Sequence, residues 1–156
     1  MRINNNDNIC LIMEEKIKHL EFVQNTIARM STNSFQIKGW MITIVTALLA
    51  LFASSSKELY VFVAIVPTIV FWCLDSYYLQ QERKFRGLYD EIATLSITNF
   101  DMSIEKYHYD KKDEMSIKYC YWEVFFSKTL LSFYGIIVLG LLVGAMLLYV
   151  NRYNCL

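Results

Sequence analysis

The sequence predicts an all-α integral membrane protein with three transmembrane helices, an N-terminal amphipathic helix and cytoplasmic extensions of spans 2 and 3. Three observations carry that prediction. Thr129 to Val150 is a run of 22 residues without a charge, long enough to cross a bilayer. Two further apolar runs, 38–56 and 59–78, stand close together as a hairpin. One proline and five glycines in 156 residues leave long helices uninterrupted, and 55% of the residues are hydrophobic with a mean hydropathy of +0.29. Those values are high for an ordinary soluble domain.

Residues 1–12 are Asn-rich and read as a disordered N-terminus. Met13 opens the helical pattern directly, so either Met1 or Met13 fits the start. Residues 13–33 read as a cytoplasmic amphipathic helix, with Ile17, Leu20, Val23 or Gln24, Ile27 and Met30 recurring at spacings of three and four. Glu14 and Glu15 in its first turn and Arg29 near its end suit the helix dipole. The polar run Ser31 to Ser34 predicts a break before the first span. That span is short for a ~30 Å core, and Trp40 stands where an interfacial aromatic is expected. A loop around Ser54–Glu58 leads into the second span. Pro67 is expected to kink it, freeing a carbonyl for Thr68 or a neighbouring helix to satisfy.

The pattern of Leu79, Phe85, Leu88, Ile92 and Leu95 predicts that the second helix runs on from about Leu59 to Leu95. Within the cytoplasmic segment 79–128, residues 97–112 read as a connecting loop. A last helix is expected from about Asp113, through residues 117–128 and on into span 3 at 129–150. Residues 151–156 form the remaining tail. No internal repeat is visible.

Orientation follows from the basic residues. Of fifteen Lys and Arg, thirteen lie in residues 1–38 or 80–128; only Lys57 and Arg152 do not. Three spans put those two groups on opposite sides of the bilayer. The positive-inside rule then assigns a cytoplasmic N-terminus and an external C-terminus.

Residue chemistry excludes more than it assigns. Formal net charge is zero, so nothing points to a nucleic-acid partner. No P-loop, GxGxxG, GxSxG or HExxH is present, so the expectation is a protein that is not an enzyme and takes no cofactor. Cys10, Cys73, Cys120 and Cys155 are far apart and form no metal-ligand spacing. His19 and His108 read as solvated or internally satisfied. The acidic pairs Asp90/Glu91 and Asp113/Glu114 read as solvated faces.

The membrane segments are more informative. Gly140 and Gly144 form a GxxxG that lets two helices approach closely, and Thr43, Ala47, Ala50 and Ser54 give the first span a small face. Packing within the chain and a homo-oligomer interface both fit. Asp75 is a carboxylate at membrane depth, where an ionisable group is paired or functional. Its candidate partners are Lys38 and the cluster Arg83, Lys84 and Arg86. That cluster fits binding to anionic lipid of the bilayer, and equally the phosphates of a nucleotide ligand. Tyr107, Tyr109, Tyr119, Tyr121 and Trp122 offer rings to a base, or anchors before the last span.

Two stretches, EKIKHLEFVQNTIARMSTNSFQIKGW (Glu15 to Trp40) and FWCLDSYYLQQERKFRGLYD (Phe71 to Asp90), resemble a group of small bacterial membrane proteins. That group carries an NSFxIKGW-like approach to the first span and a WxLDxYYLxQER-like exit from the second. The resemblance implies a place in the bacterial inner membrane beside signalling or anti-phage defence genes, and it supplies no catalytic residues. Joined to the residue reading, it implies a non-enzymatic effector that oligomerises and permeabilises the membrane. A cytosolic signalling protein or a nucleotide would act on its cytoplasmic helices. Asn33, Ser34, Lys38, Trp40, Asp75, Arg83, Lys84 and Arg86 would couple the signal to the spans. An adaptor that recruits a cytosolic enzyme, or a small ion channel, are the alternatives.

Overall fold

A computed structural model describes residues 5–55, 59–95, 99–108 and 114–154. Its elements are α1 (Asn5–Ser55), α2 (Leu59–Thr94), a 3-10 helix (Glu114–Tyr119), α3 (Tyr121–Phe125) and α4 (Lys128–Asn154). Among the described residues there is no strand. Three of these helices, α1, α2 and α4, are long and apolar enough to cross a membrane.

α1 corrects two expectations. It is helical from Asn5, where a disordered segment was predicted, and it runs for 51 residues without a break at Ser31–Ser34. Ser and Thr interrupt a helix when their side chains capture backbone N–H groups outside it. Here Thr32 Oγ1 donates back to Ala28 O at 2.9 Å, and Ser34 Oγ is committed to Asp75 on the neighbouring helix. Neither side chain is left to cap a new helix.

α2 is the central element. Its C-terminal half packs against the first part of α1 around Val23, Ile27, Leu88 and Ile92. Its N-terminal half packs against both α1 and α4 around Met41, Val45, Val61, Ala64, Leu130, Tyr134, Leu141 and Ala145. No Cα of α1 comes within 8 Å of one in α4, so α2 holds the two apart. The helix is continuous through Pro67. The buried Thr68 hydroxyl donates to Ala64 O at 2.9 Å, so it does not serve Val63, the carbonyl that proline leaves without its usual donor. Of the predicted loop around Ser54–Glu58, Ser54 and Ser55 belong to α1, and residues 56–58 lie outside the described residues.

Lys16 of α1 closes the far end of α2. Its ammonium donates to Ala93 O and Leu95 O, both at 2.8 Å, satisfying carbonyls that the helix end leaves open. Residues 99–108 are non-helical, in keeping with the predicted loop, yet they pack closely. Ile104 and Tyr107 lie on the Val23–Ile92 cluster. Asn99 and Asp101 side chains accept from the backbone two residues on. Phe100 takes a left-handed backbone (φ 54°) and stacks on the buried His19, whose Nε2 lies 3.2 Å from Asp101 O. His19 is thus internally satisfied.

The expected continuous last helix is broken in two places. Cys120 is extended, separating the 3-10 helix from α3, and Phe126–Ser127 separate α3 from α4. The reason lies on α2. Gln80 donates to Tyr119 O at 2.8 Å, Arg83 to Lys118 O at 3.3 Å, and Trp72 Nε1 to Phe125 O at 3.1 Å. Side chains of α2 therefore take carbonyls that a continuing helix would use for its own bonds.

Candidate functional site

Asp75 sits on the face of α2 that also carries Ala64, Thr68, Trp72, Leu79 and Glu82, so helical spacing directs it into the three-helix interior. Its side chain is 0% exposed. A carboxylate there is tolerated only if it is paired and hydrogen-bonded. Every long helix contributes. From α1, Ser34 Oγ donates to Oδ1 at 2.5 Å and Lys38 Nζ pairs with Oδ2 at 2.5 Å. From α4, the buried Tyr134 hydroxyl donates to Oδ2 at 3.1 Å. Lys38 also donates to Ser34 Oγ at 2.8 Å, closing a ring of three groups. Charge sums to zero across Lys38 and Asp75, and both carboxylate oxygens are occupied.

An aromatic stack extends this centre sideways. Trp72 lies parallel to Tyr134 (5.7 Å between rings, 7°) and to Phe125 (4.6 Å, 6°). α3 is therefore tied to the polar centre through two ring faces and the Trp72–Phe125 hydrogen bond. Trp122 and Phe126 of the same turn are exposed.

Depth can be read from helix rise. At 1.5 Å per residue, Lys38 to Ser55, Leu59 to Asp75 and Tyr134 to Val150 measure about 26, 24 and 24 Å. All three helices run a similar apolar distance from the polar centre to their far ends. That distance is a little short of the ~30 Å hydrocarbon core.

The sequence-predicted residues divide. Ser34, Lys38 and Asp75 meet. Asn33 is half-buried one residue away, and Trp40 is 62% exposed, so it stands outside the centre. The basic cluster does not converge on Asp75. Arg83 reaches the 3-10 helix, Arg86 pairs with Glu82 one turn back at 2.7 Å, and Lys84 has no ion-pair partner among the described residues. Arg83 and Arg86 are thereby committed to different partners, which weighs against a single phosphate cradle formed within one chain. Two of the stacking rings are also committed: Tyr107 and Tyr119 tilt against each other (5.5 Å) over Gly87, whereas Trp122 is exposed. Tyr109 lies outside the described residues. The small faces are unused inside the chain. Nothing lies within 4 Å of a Cβ added at Gly140 or Gly144, and Thr43, Ala47 and Ala50 are exposed.

From the sequence alone Tyr134, near the start of span 3, reads as an interfacial aromatic. A sharper signal was available: it falls in the stripe Leu130, Tyr134, Ile137, Leu141, Ala145, and a hydroxyl in a membrane packing stripe needs an acceptor.

Farther from the spans, Lys106 and Tyr107 both donate to the Glu91 carboxylate, Lys106 at 2.7 Å. The hydrogen bond from Lys106, then that from Tyr107, holds Glu91 below its ordinary range. Burial, then the bond to Glu91, pushes the Tyr107 phenol up. Among the described residues no group of three or more His, Cys, Asp or Glu is placed to hold a metal ion.

Fold and site together define an all-helical protein with three helices long and apolar enough to cross a membrane, a long charged helical arm, and a buried polar centre where the arm meets the apolar segments. No family model, curated protein or solved structure matches the chain.

Proposed function

We propose that this chain is a non-enzymatic membrane effector whose cytoplasmic arm transmits a signal through the Asp75 centre to the spans. The observation that carries the reading is the position of that centre. One carboxylate ties α1, α2 and α4 together where the arm enters the apolar region. Rotation or sliding of either arm helix must break or re-form its bonds, and packed elements of this kind switch between discrete arrangements. The basic residues of 1–38 and 80–128 favour a cytoplasmic arm and an external C-terminus. The bacterial inner membrane and the anti-phage setting rest on the resemblance of Glu15–Trp40 and Phe71–Asp90. In this reading several copies associate, and loss of the bonds to Asp75 lets the spans rearrange and permeabilise the bilayer. Arg83, Lys84 and Arg86 then meet anionic lipid or, once copies assemble, a nucleotide.

The test is membrane potential and dye entry in cells producing the full chain. Lys38→Met and Ser34→Ala should depolarise cells more than the wild-type chain at equal membrane abundance. Undisturbed potential in all variants, with a stoichiometric cytosolic protein co-purifying, overturns the effector reading. That outcome favours an adaptor. One observation supports this second reading: a groove of about 490 Å³ on the arm, lined by Ile17, Leu20, Glu21, Gln24, Asn25 and Tyr89.

A further inference from the structure

α1 and α4 are held apart by α2, and the space between their membrane halves is an apolar groove of about 880 Å³. Met41, Val45 and Leu49 form one wall; Gly140, Gly144 and Leu147 form the other. We infer that the outer face of α1 from a second copy of this chain, Thr43, Ala47 and Ala50, docks over this groove against Gly140 and Gly144. The inference rests on the association proposed above and names its surface.

Three features point to that occupant. First, glycine weakens a helix relative to alanine, and within the chain nothing approaches either glycine closely enough to need the missing Cβ. A lipid tail adapts by its own rotamers and has no need of a bare backbone, whereas a second helix does. Second, Thr43, Ala47 and Ala50 lie on the side of α1 opposite Met41, Val45 and Leu48, which pack toward α2. They are exposed, and a neighbouring copy can reach them without disturbing the chain's own packing. Third, the depths agree. Thr43, Ala47 and Ala50 lie about 8, 14 and 18 Å beyond Lys38, and Gly140 and Gly144 about 9 and 15 Å beyond Tyr134. Lys38 and Tyr134 meet at one level on Asp75. Both helices run away from that level in the same direction, so the contact between copies is parallel, as a bilayer imposes on chains inserted alike.

The two surfaces are different parts of the molecule, so the contact is heterologous. Each copy offers a groove to one neighbour and an α1 face to another. Such contacts build a ring where the rotation between copies closes and an open filament where it does not.

The experiment is cross-linking of the full chain in membranes, with Cys10, Cys73, Cys120 and Cys155 replaced by serine. Two differently tagged copies carry Ala47→Cys and Leu147→Cys; the second leaves the glycines intact. Expected is a cross-link in the mixed sample and none in either alone. A ladder of multimers should appear when one chain carries both. Gly140→Leu with Gly144→Leu should abolish the ladder, while Gly135→Leu, away from the groove, should keep it. Cross-links of Ala47→Cys to itself, or a ladder that survives the double leucine variant, overturn this interface and leave association standing. A single-chain mass in native lipid discs overturns both.

Discussion

Consider the Lys38→Met variant. Methionine keeps the length of the apolar stem and removes the ammonium, so Asp75 loses its counter-charge and keeps only two neutral donors, Ser34 and Tyr134. Removing one partner of a buried ion pair costs about 3–5 kcal/mol, because the remaining charge is left uncompensated. The carboxylate is 0% exposed and the ammonium 21%, so the two single variants are not equivalent. Asp75→Asn keeps an acceptor for Ser34 and Tyr134 and strands an ammonium that can reach the headgroup layer on its own stem. Its cost should stay near that of an imperfect buried hydrogen bond, about 1–3 kcal/mol. The double variant Lys38→Met/Asp75→Asn has no buried charge, so it should recover much of the Lys38→Met loss. A double-mutant cycle read by reversible unfolding in mixed micelles measures the coupling, expected at roughly 2–3 kcal/mol. Single losses that add to within about 0.5 kcal/mol, the tolerance for independent sites, would refute the claim that this pair fastens arm to spans.

Three other outcomes follow from the arm. Gly87→Ala should be destabilising, although alanine ordinarily stabilises a helix by about 1 kcal/mol over glycine. A Cβ at that position meets the Tyr119 hydroxyl and lies 3.1 Å from the Tyr107 ring, so amide exchange in 104–108 and 116–120 should accelerate. Acidification should loosen the strap 99–108 from α2. The folded-state pKa of Glu91 is lowered from 4.5, so its contribution is complete above that value and is lost as pH falls through the lowered one. Hydrogen exchange across that range checks this, and Glu91→Gln should remove the pH dependence. Lys16→Met should uncap α2, raising exchange at its last turn by a few-fold, since a cation at a helix C-terminus contributes about 0.3–1 kcal/mol; unchanged exchange there would count against the capping role.

Much was decided by the sequence alone. Charge-free runs and the 3.6-residue period depend only on which residues follow one another, so they located the three long helices and the extension of α2 to Thr94. A carboxylate in an apolar run with a lysine on the neighbouring helix was enough to name Lys38 as one candidate partner of Asp75, beside the Arg83, Lys84 and Arg86 cluster; packing chose Lys38. Only the tertiary structure decided what the remaining polar groups do, because a hydroxyl or an arginine can be satisfied in several ways. Ser34 reads as a helix stop in sequence and becomes a donor to Asp75. Tyr134 reads as an interfacial ring and becomes the third tie on the same carboxylate. Arg83, Lys84 and Arg86 read as one cluster along the chain, but packing gives Arg83 and Arg86 separate partners. The continuity of α1 and the breaks around α3 have the same origin. Both depend on which backbone and side-chain groups a neighbouring helix claims, and that is a property of packing.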